Sequence, residues 1–212
     1  MPERNTLGAM FDWLKKKRRW APELVFASRG ALLQRLESLI DGEAGTPVLV
    51  CAFELSLSSL EAELSSRSCA RATSAASLSE RLEGYRLGLP LPTATTGVIE
   101  GASALGGPAR PAHFLVVERH PLRVHDDAIE AFAERLANGS RVTFLLSLDD
   151  PFFARIGGNL KELMAKLGVG DEALENALLS KAIAGFQAKL ARAVPHEVPA
   201  RSAEEWYAAN VR

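Results

Sequence analysis

Pro47-Val48-Leu49-Val50-Cys51-Ala52-Phe53 is an almost unbroken apolar run, and it decides the reading of the fold. A strand with one wet face alternates apolar and polar residues, whereas a strand covered on both faces does not, so this run predicts a buried strand of a parallel sheet. Working outward, Ala112–Glu118 (AHFLVVE) and Val142–Leu148 (VTFLLSL) read the same way, and Leu24–Ala27 is a shorter candidate. Helical spacing separates them. Arg29–Asp41 carries Leu32, Leu33, Leu36, Leu39 and Ile40 on one side, with Gly42 as a stop. Ser56–Ser65 carries Leu57, Leu60 and Leu64, and Asp126–Ala137 turns Ala128, Ile129, Phe132, Ala133 and Leu136 inward before Gly139. Strands alternating with helices predict an α/β fold, a doubly wound parallel sheet.

The segment between is less regular. Residues 65–80 read as a loop entering a short helix, Leu78–Tyr85, and Gly88–Thr96 as a Gly/Pro/Thr connection. Val98-Ile99 reads as a short strand and 100–111 as a flexible loop. Beyond residue 150 the pattern becomes helical, over Leu160–Leu167, Glu172–Ala193 and Ala203–Asn210 around Trp206 and Tyr207.

The chain has 212 residues, 47% hydrophobic and 24% charged, which is enough to bury a core without disulfides or metal. A net charge of −1 excludes a polyelectrolyte binder of nucleic acid. Cys51 and Cys69 form no C-x-x-C and no zinc spacing with histidine, so free thiols in a reducing compartment are expected. No run approaches the roughly 18 apolar residues of a membrane span, and no apolar segment follows the N-terminal basic cluster as in a signal peptide. A cytoplasmic location follows.

Residues 1–21 form a distinct leader. Phe11, Trp13 and Leu14 precede Lys15, Lys16, Lys17, Arg18 and Arg19, with Trp20 closing the cluster. An apolar helical side beside a cationic run suits an anionic membrane surface or an acidic partner, each cation near a membrane adding about 1 kcal/mol. The same run also suits a solvated helix end.

Several segments together resemble the second motor domain of the SecA protein-translocation ATPases. Glu118-Arg119-His120 after an apolar strand is similar to that family's "TERH", and Leu146–Asp150 to its "LSLEDD". Leu163–Gly168 is similar to "MMRKLGM", Lys181–Ala184 with Gln187 and Lys189 to "TKAIANAQRKVE", and Pro47–Leu64 to "PVLVGTVSVEKSELLSRLL". The resemblance covers roughly residues 22–193. It implies a degenerate RecA-like domain over 22–155, followed over 156–212 by a helical extension like the start of the SecA scaffold helix.

The departures matter as much as the matches. The resemblance implies a cleft between two RecA-like domains, the first supplying a Gly-rich phosphate loop ending in Lys. No Gly-Lys dipeptide occurs in this sequence. The family's "AGRGTDI" is replaced at Glu100–Gly107, without its Arg or Asp. In the register of "QLRGRSGRQGD" stand Ala128–Asn138, where Glu130 and Phe132 replace two arginines and only Arg135 remains. Such arginines are worth on the order of 10³–10⁵ in rate, and Glu130 would repel a triphosphate. No ATP hydrolysis, no catalytic residue and no cofactor are therefore expected.

Other constellations point nowhere specific. His113, His120 and His125 lie close in sequence with Asp126 and Asp127, but no i, i+4 pair marks a metal site, so none is expected. His125-Asp126 suits a helix start and Asp149-Asp150-Pro151 a strand-end turn. Gly106-Gly107 is too isolated for a phosphate loop, and no serine sits in a G-x-S-x-G elbow. The expected function is a non-catalytic interaction module that binds another protein, such as translocation machinery or a motor ATPase, or the inner membrane surface. Its surfaces are the leader and the old cleft face around Glu118, Arg119, His120, Arg123, Glu130 and Arg135. The alternative is a subunit lending Arg119 or Arg135 in trans to a partner ATPase. Nucleic acid is not an expected partner.

Overall fold

The structure, a computed structural model, describes residues 21–42, 46–84, 91–105, 111–136, 139–156, 173–175 and 177–211. Residues 1–20 of the leader and the helix expected over 160–167 lie outside the described residues. Six strands, β1 (Glu23–Phe26), β2 (Thr46–Cys51), β3 (Cys69–Arg71), β4 (Leu91–Thr95), β5 (Ala112–Val116) and β6 (Arg141–Ser147), form one sheet in the order β1-β6-β5-β2-β4-β3. Every pairing between them is parallel. The helices are α1 (Arg29–Gly42), α2 (Glu54–Glu63), α3 (Ala75–Gly84), α4 (Thr96–Leu105), α5 (Arg123–Arg135), α6 (Pro151–Ile156), α7 (Ala177–Ala193) and α8 (Ala203–Asn210). The expected α/β fold, a parallel sheet with helices on both faces, holds.

The apolar runs explain the layering. In β2, Leu49 and Cys51 face the α1 and α2 side with Leu32, Leu36, Leu57 and Leu60. Val48 and Val50 face the opposite side with Ile99, Ile129 and Phe132. Strands β5 and β6 divide in the same way: Leu115 and Leu145 join the first cluster, and Phe114, Val116, Phe144 and Leu146 the second. A strand hydrophobic on both faces needs helices on both, and each such side chain fully buried stabilises the fold by roughly 1.5–3 kcal/mol. A third cluster sits at the carboxyl ends of the strands. There Phe53 and Leu122 meet Leu190 and Val194 of the α7 end and Trp206 and Tyr207 of α8.

Between residues 65 and 111 the structure departs from expectation. The stretch expected as a Gly/Pro/Thr connection contains β4, an interior strand between β2 and β3. Pro92 is tolerated because β4 pairs with β2 only from Thr93 onward, so no ladder bond to β2 is needed at the proline. Val98-Ile99, expected as a strand, lies in α4, as do residues 100–105 of the expected loop. Within the Ser/Ala/Arg stretch, Cys69–Arg71 forms the edge strand β3, and the helix after it begins at Ala75, ahead of the expected Leu78.

Smaller corrections have local causes. Helix α5 starts at Arg123, with extended Leu122 as its N-cap, so Asp126 lies inside the first turns and is buried. That helix ends at Arg135, and Gly139 serves instead the turn entering β6, where its φ of +97° is a conformation that favours glycine. The helix expected from Glu172 begins at Ala177. Before it, Leu174 makes an antiparallel bridge along β1, with Val25 N–H donating to Leu174 O at 3.1 Å and Leu174 N–H to Val25 O at 2.8 Å. Asp149-Asp150-Pro151 is the expected turn: Asp150 Oδ2 accepts from Ser147 N–H at 2.9 Å, and Pro151 opens α6.

Candidate functional site

In open parallel α/β sheets ligands meet the carboxyl ends of the strands. Here that edge carries Ala52-Phe53 after β2, Thr96 after β4, Glu118-Arg119-His120 after β5 and Asp149-Asp150 after β6. Thr96 Oγ1 donates to Ala52 O at 3.2 Å, joining two of these exits. Glu118 ties the β5 exit to the same β2 exit. Its Oε1 accepts from Ala52 N–H at 2.9 Å and Phe53 N–H at 3.1 Å, and its Oε2 from Ser56 Oγ–H at 3.0 Å. Phe53 is the N-cap of α2 and has no capping side chain, so the carboxylate on the β5 exit fills that role. Burial pushes the Glu118 carboxyl up to about 7 against the hydrogen bonds that favour its charge.

Arg119 points inward. Its guanidinium is buried between Glu23 of β1, which accepts from Nη2, and Asp126 of α5, whose Oδ2 accepts from Nη1 at 2.7 Å. The guanidinium carbon lies 3.6 Å from the centroid of the Phe144 ring. From α7, Gln187 Nε2 donates to the same Asp126 oxygen at 2.7 Å and to His120 O at 2.9 Å. The matched "ERH" segment is thus the seam between sheet and C-terminal helices. Reaching a partner as a trans-acting arginine would take Arg119 away from two buried carboxylates.

The six residues expected on one cleft face are not gathered into one cluster. Arg123, at the start of α5, donates from Nε to Asp127 at 3.1 Å, and its Nη2 is 3.9 Å from Glu130 Oε1. Burial raises the Glu130 pKa, while Arg123 and Arg119 work in the opposite direction. Arg135 is exposed at the other end of α5, its guanidinium 5.9 Å from the Phe132 ring centroid. At 1.5 Å per residue it lies roughly 18 Å along the helix from Arg123.

Two of the three histidines weighed for a metal do come together, with a third group the sequence reading did not include. His120 Nε2 is 3.2 Å from Glu197 Oε1, and His125 Nε2 is 2.8 Å from Glu197 Oε2. The two imidazole centroids are 3.6 Å apart. His125 Nδ1 lies 2.7 Å from Glu100 Oε1, and Trp206 Nε1–H donates to Glu197 Oε1 at 2.6 Å. One ligand atom from each of His120, His125 and Glu197 falls within 4.8 Å of the others. His113 is elsewhere, its Nε2 2.9 Å from Thr143 Oγ1 across β5 and β6.

Electrostatics separate the three groups. Burial lowers the His120 pKa, partly offset by Glu197. Burial also opposes charge on His125, but its bonds to Glu100 and Glu197 outweigh that and hold its pKa above the ordinary range. Glu197 is pulled down to about 2, because hydrogen bonds from His120, His125 and Trp206 overcome its burial. A cavity of about 210 Å³ opens beside the cluster, lined also by Phe53, Thr96, Pro199 and Trp206. Nothing local in Pro195–Pro199 announces Glu197 as a site residue; only the chain's return over the sheet edge brings it there.

Fold and site together define a parallel, doubly wound α/β domain whose carboxyl edge is capped by its own C-terminal helices. No protein-family model matches the chain, and no curated protein matches it. Among solved structures it is similar to the C-terminal part of the Fun30 ATPase domain, with a TM-score of 0.44 and 14% identity over 76% of this chain and 54% of that one. The match thus spans about half of that chain, and the likeness is one of fold alone. Among the described residues no helix is long and apolar enough to cross a membrane.

Proposed function

We propose that this chain is a non-catalytic, SecA-like interaction module whose work is to bind another protein. The observation that carries the reading is the packing of the C-terminal helices over the carboxyl edge, which leaves there a cavity of about 210 Å³. Trp206, Tyr207, Leu190 and Val194 pack over Phe53 and Leu122, and Leu55 N–H donates to Arg201 O at 3.0 Å, where a nucleotide-binding sheet keeps a crevice. Arg119, the one cation of the "ERH" segment, is consumed by Glu23 and Asp126. The missing Gly-Lys loop and the arginines replaced by Glu130 and Phe132 support the same reading. The leader's cations and indoles are the segment best suited to a membrane surface or an acidic partner, with translocation machinery the first candidate.

The test is capture of the tagged chain, with and without residues 1–20, from membrane and soluble fractions of its own cells, paired with an ATPase assay on the purified chain. Translocation components or membranes recovered only with the leader are the expected result. An unrelated soluble complex would remove the Sec association, and ATP turnover by the chain alone would overturn the non-catalytic reading. The exposure of Arg135 keeps one second reading in play, an arginine lent to a partner ATPase. In that case Arg135→Ala lowers the partner's turnover while complex formation persists.

A further inference from the structure

We infer that His120, His125 and Glu197 form a binding site for a divalent transition-metal ion, zinc first, which ties the C-terminal segment to the sheet edge. Two imidazoles and one carboxylate are a donor set that zinc accepts, with a fourth position open to water. The ligands come from three separate places: the β5 exit, the first turn of α5 and the loop between α7 and α8. Their donor atoms already converge, with both Glu197 oxygens aimed at the two Nε2 atoms at 3.2 and 2.8 Å. Zinc–nitrogen bonds of about 2.0–2.1 Å put tetrahedral ligand atoms about 3.3 Å apart, and the three ligand atoms, which lie within 4.8 Å of one another, must draw in to that spacing on binding.

The surroundings are those of a metal site. Glu100 Oε1 lies 2.7 Å from His125 Nδ1, an ion-pair contact placed where a carboxylate orients a ligand histidine and raises its basicity, and Trp206 Nε1–H donates to Glu197 Oε1. The cavity beside the cluster leaves room for the fourth ligand, a water or a small anion. Without metal, protons occupy the gaps between imidazoles and carboxylate. Binding replaces the proton on each Nε2 with the ion: His120, whose Nδ1 accepts a hydrogen bond and which therefore starts neutral, moves its proton to Nδ1, and a proton released to solvent comes from His125. On His120 the ring then carries its proton on Nδ1, which takes Leu122 O, 3.3 Å away, as acceptor; Leu122 N–H, which donates to that nitrogen at 3.0 Å, gives up its acceptor. The metal thus costs this bond as well as the two imidazole–Glu197 contacts through Nε2 that it replaces.

The inference is independent of the partner-binding reading. It is tested on the full chain with Zn²⁺ in competition with a chromophoric chelator, and with Co²⁺, whose visible absorption reports tetrahedral coordination. One ion per chain is expected, with a tetrahedral cobalt spectrum. Glu197→Gln should abolish uptake, and Glu100→Gln should weaken it roughly 10- to 100-fold by loosening His125. Cys69→Ser and His196→Ala, outside the cluster, should leave it unchanged. Absence of stoichiometric uptake by the parent chain, or uptake equal in a Glu197→Gln variant with the parent's circular dichroism, overturns the site. If Glu197→Gln does not fold, Glu100→Gln decides: unchanged affinity there overturns it.

Discussion

Replacing Arg119 with methionine isolates the charge at the seam between sheet and C-terminal helices. Methionine keeps an unbranched stem against Phe144 and removes the guanidinium, leaving the buried carboxylates of Glu23 and Asp126 without their cation. Removing one partner of a buried ion pair costs about 3–5 kcal/mol, mostly the penalty of the charge left behind. For a chain of this size each kcal/mol moves the melting temperature by roughly 2–4 °C, so a fall of roughly 6–20 °C is expected. The triple variant Glu23→Gln, Arg119→Met, Asp126→Asn removes all three charges, while the amide carbonyl it introduces on α5 can still accept from Gln187. It should recover most of the loss, a strong non-additivity of the kind a coupled network gives. Thermal melting and urea denaturation, followed by tryptophan fluorescence and circular dichroism, read both. A single variant within about 1 kcal/mol of the parent, or a triple no more stable than the single, would refute the reasoning.

Two further outcomes follow from the same edge. Trp206 is fully buried among Phe53, Tyr207 and Val194, so Trp206→Ala should cost about 3–5 kcal/mol and leave the C-terminal residues open to protease; an unchanged denaturation midpoint and digestion pattern would contradict the cap. Asp150 gives a pH dependence. Burial pushes its carboxyl up to about 7, opposed by its bond from Ser147 N–H and by Arg29 of α1, and assisted by Asp149 in its own turn; Glu118 on the β5 exit is a further negative neighbour. Because the folded pKa lies above the unfolded value of about 3.9, the folded chain holds the proton more tightly. That stability is complete below pH 4 and is lost as pH rises through 7. Stability should therefore fall between pH 5 and 8, by at most about 1.4 kcal/mol per pH unit for this group, with a shallower slope in Asp150→Asn. A parent profile flat or rising over that range would be the contrary result.

Most of the sheet was legible because its interior strands announce themselves. β2, β5 and β6 are apolar on both faces, and the leucines of α1 and α2 repeat at helical spacing against them. β4 was not legible because its buried residues, Pro92, Thr93 and Ala94, are a ring that argues against a strand, a hydroxyl and a methyl, and carry no hydrophobic strand signal. Its place in the sheet rests on neighbours: β2 on one side, β3 on the other, and Glu61 of α2 accepting from Thr93 Oγ1 at 3.2 Å. Tertiary context overrides propensity in such a strand. At the site, Glu118-Arg119-His120 was found through its resemblance, but which way each side chain points was not. Arg119 turns inward because Glu23 lies 96 residues before it in sequence and beside it in space, a pairing no local pattern encodes. Glu197 was missed for the same reason.

The Leu174 bridge along β1 bears on solubility as much as on architecture. An open sheet has two flanks at which a foreign strand can add by backbone pairing, and such addition is a common start of aggregation. On one flank, Val25 already exchanges both of its outward backbone bonds with Leu174. On the other, β3 is only three residues long, and Arg71 within it is paired to Glu54 and Glu61, which sets charge along the rim. One flank is occupied and the other is short and charged, so the domain offers little template to a stray strand. Shortening the chain ahead of α7 would bare the first flank, and the consequence would be measured in how much protein stays in solution.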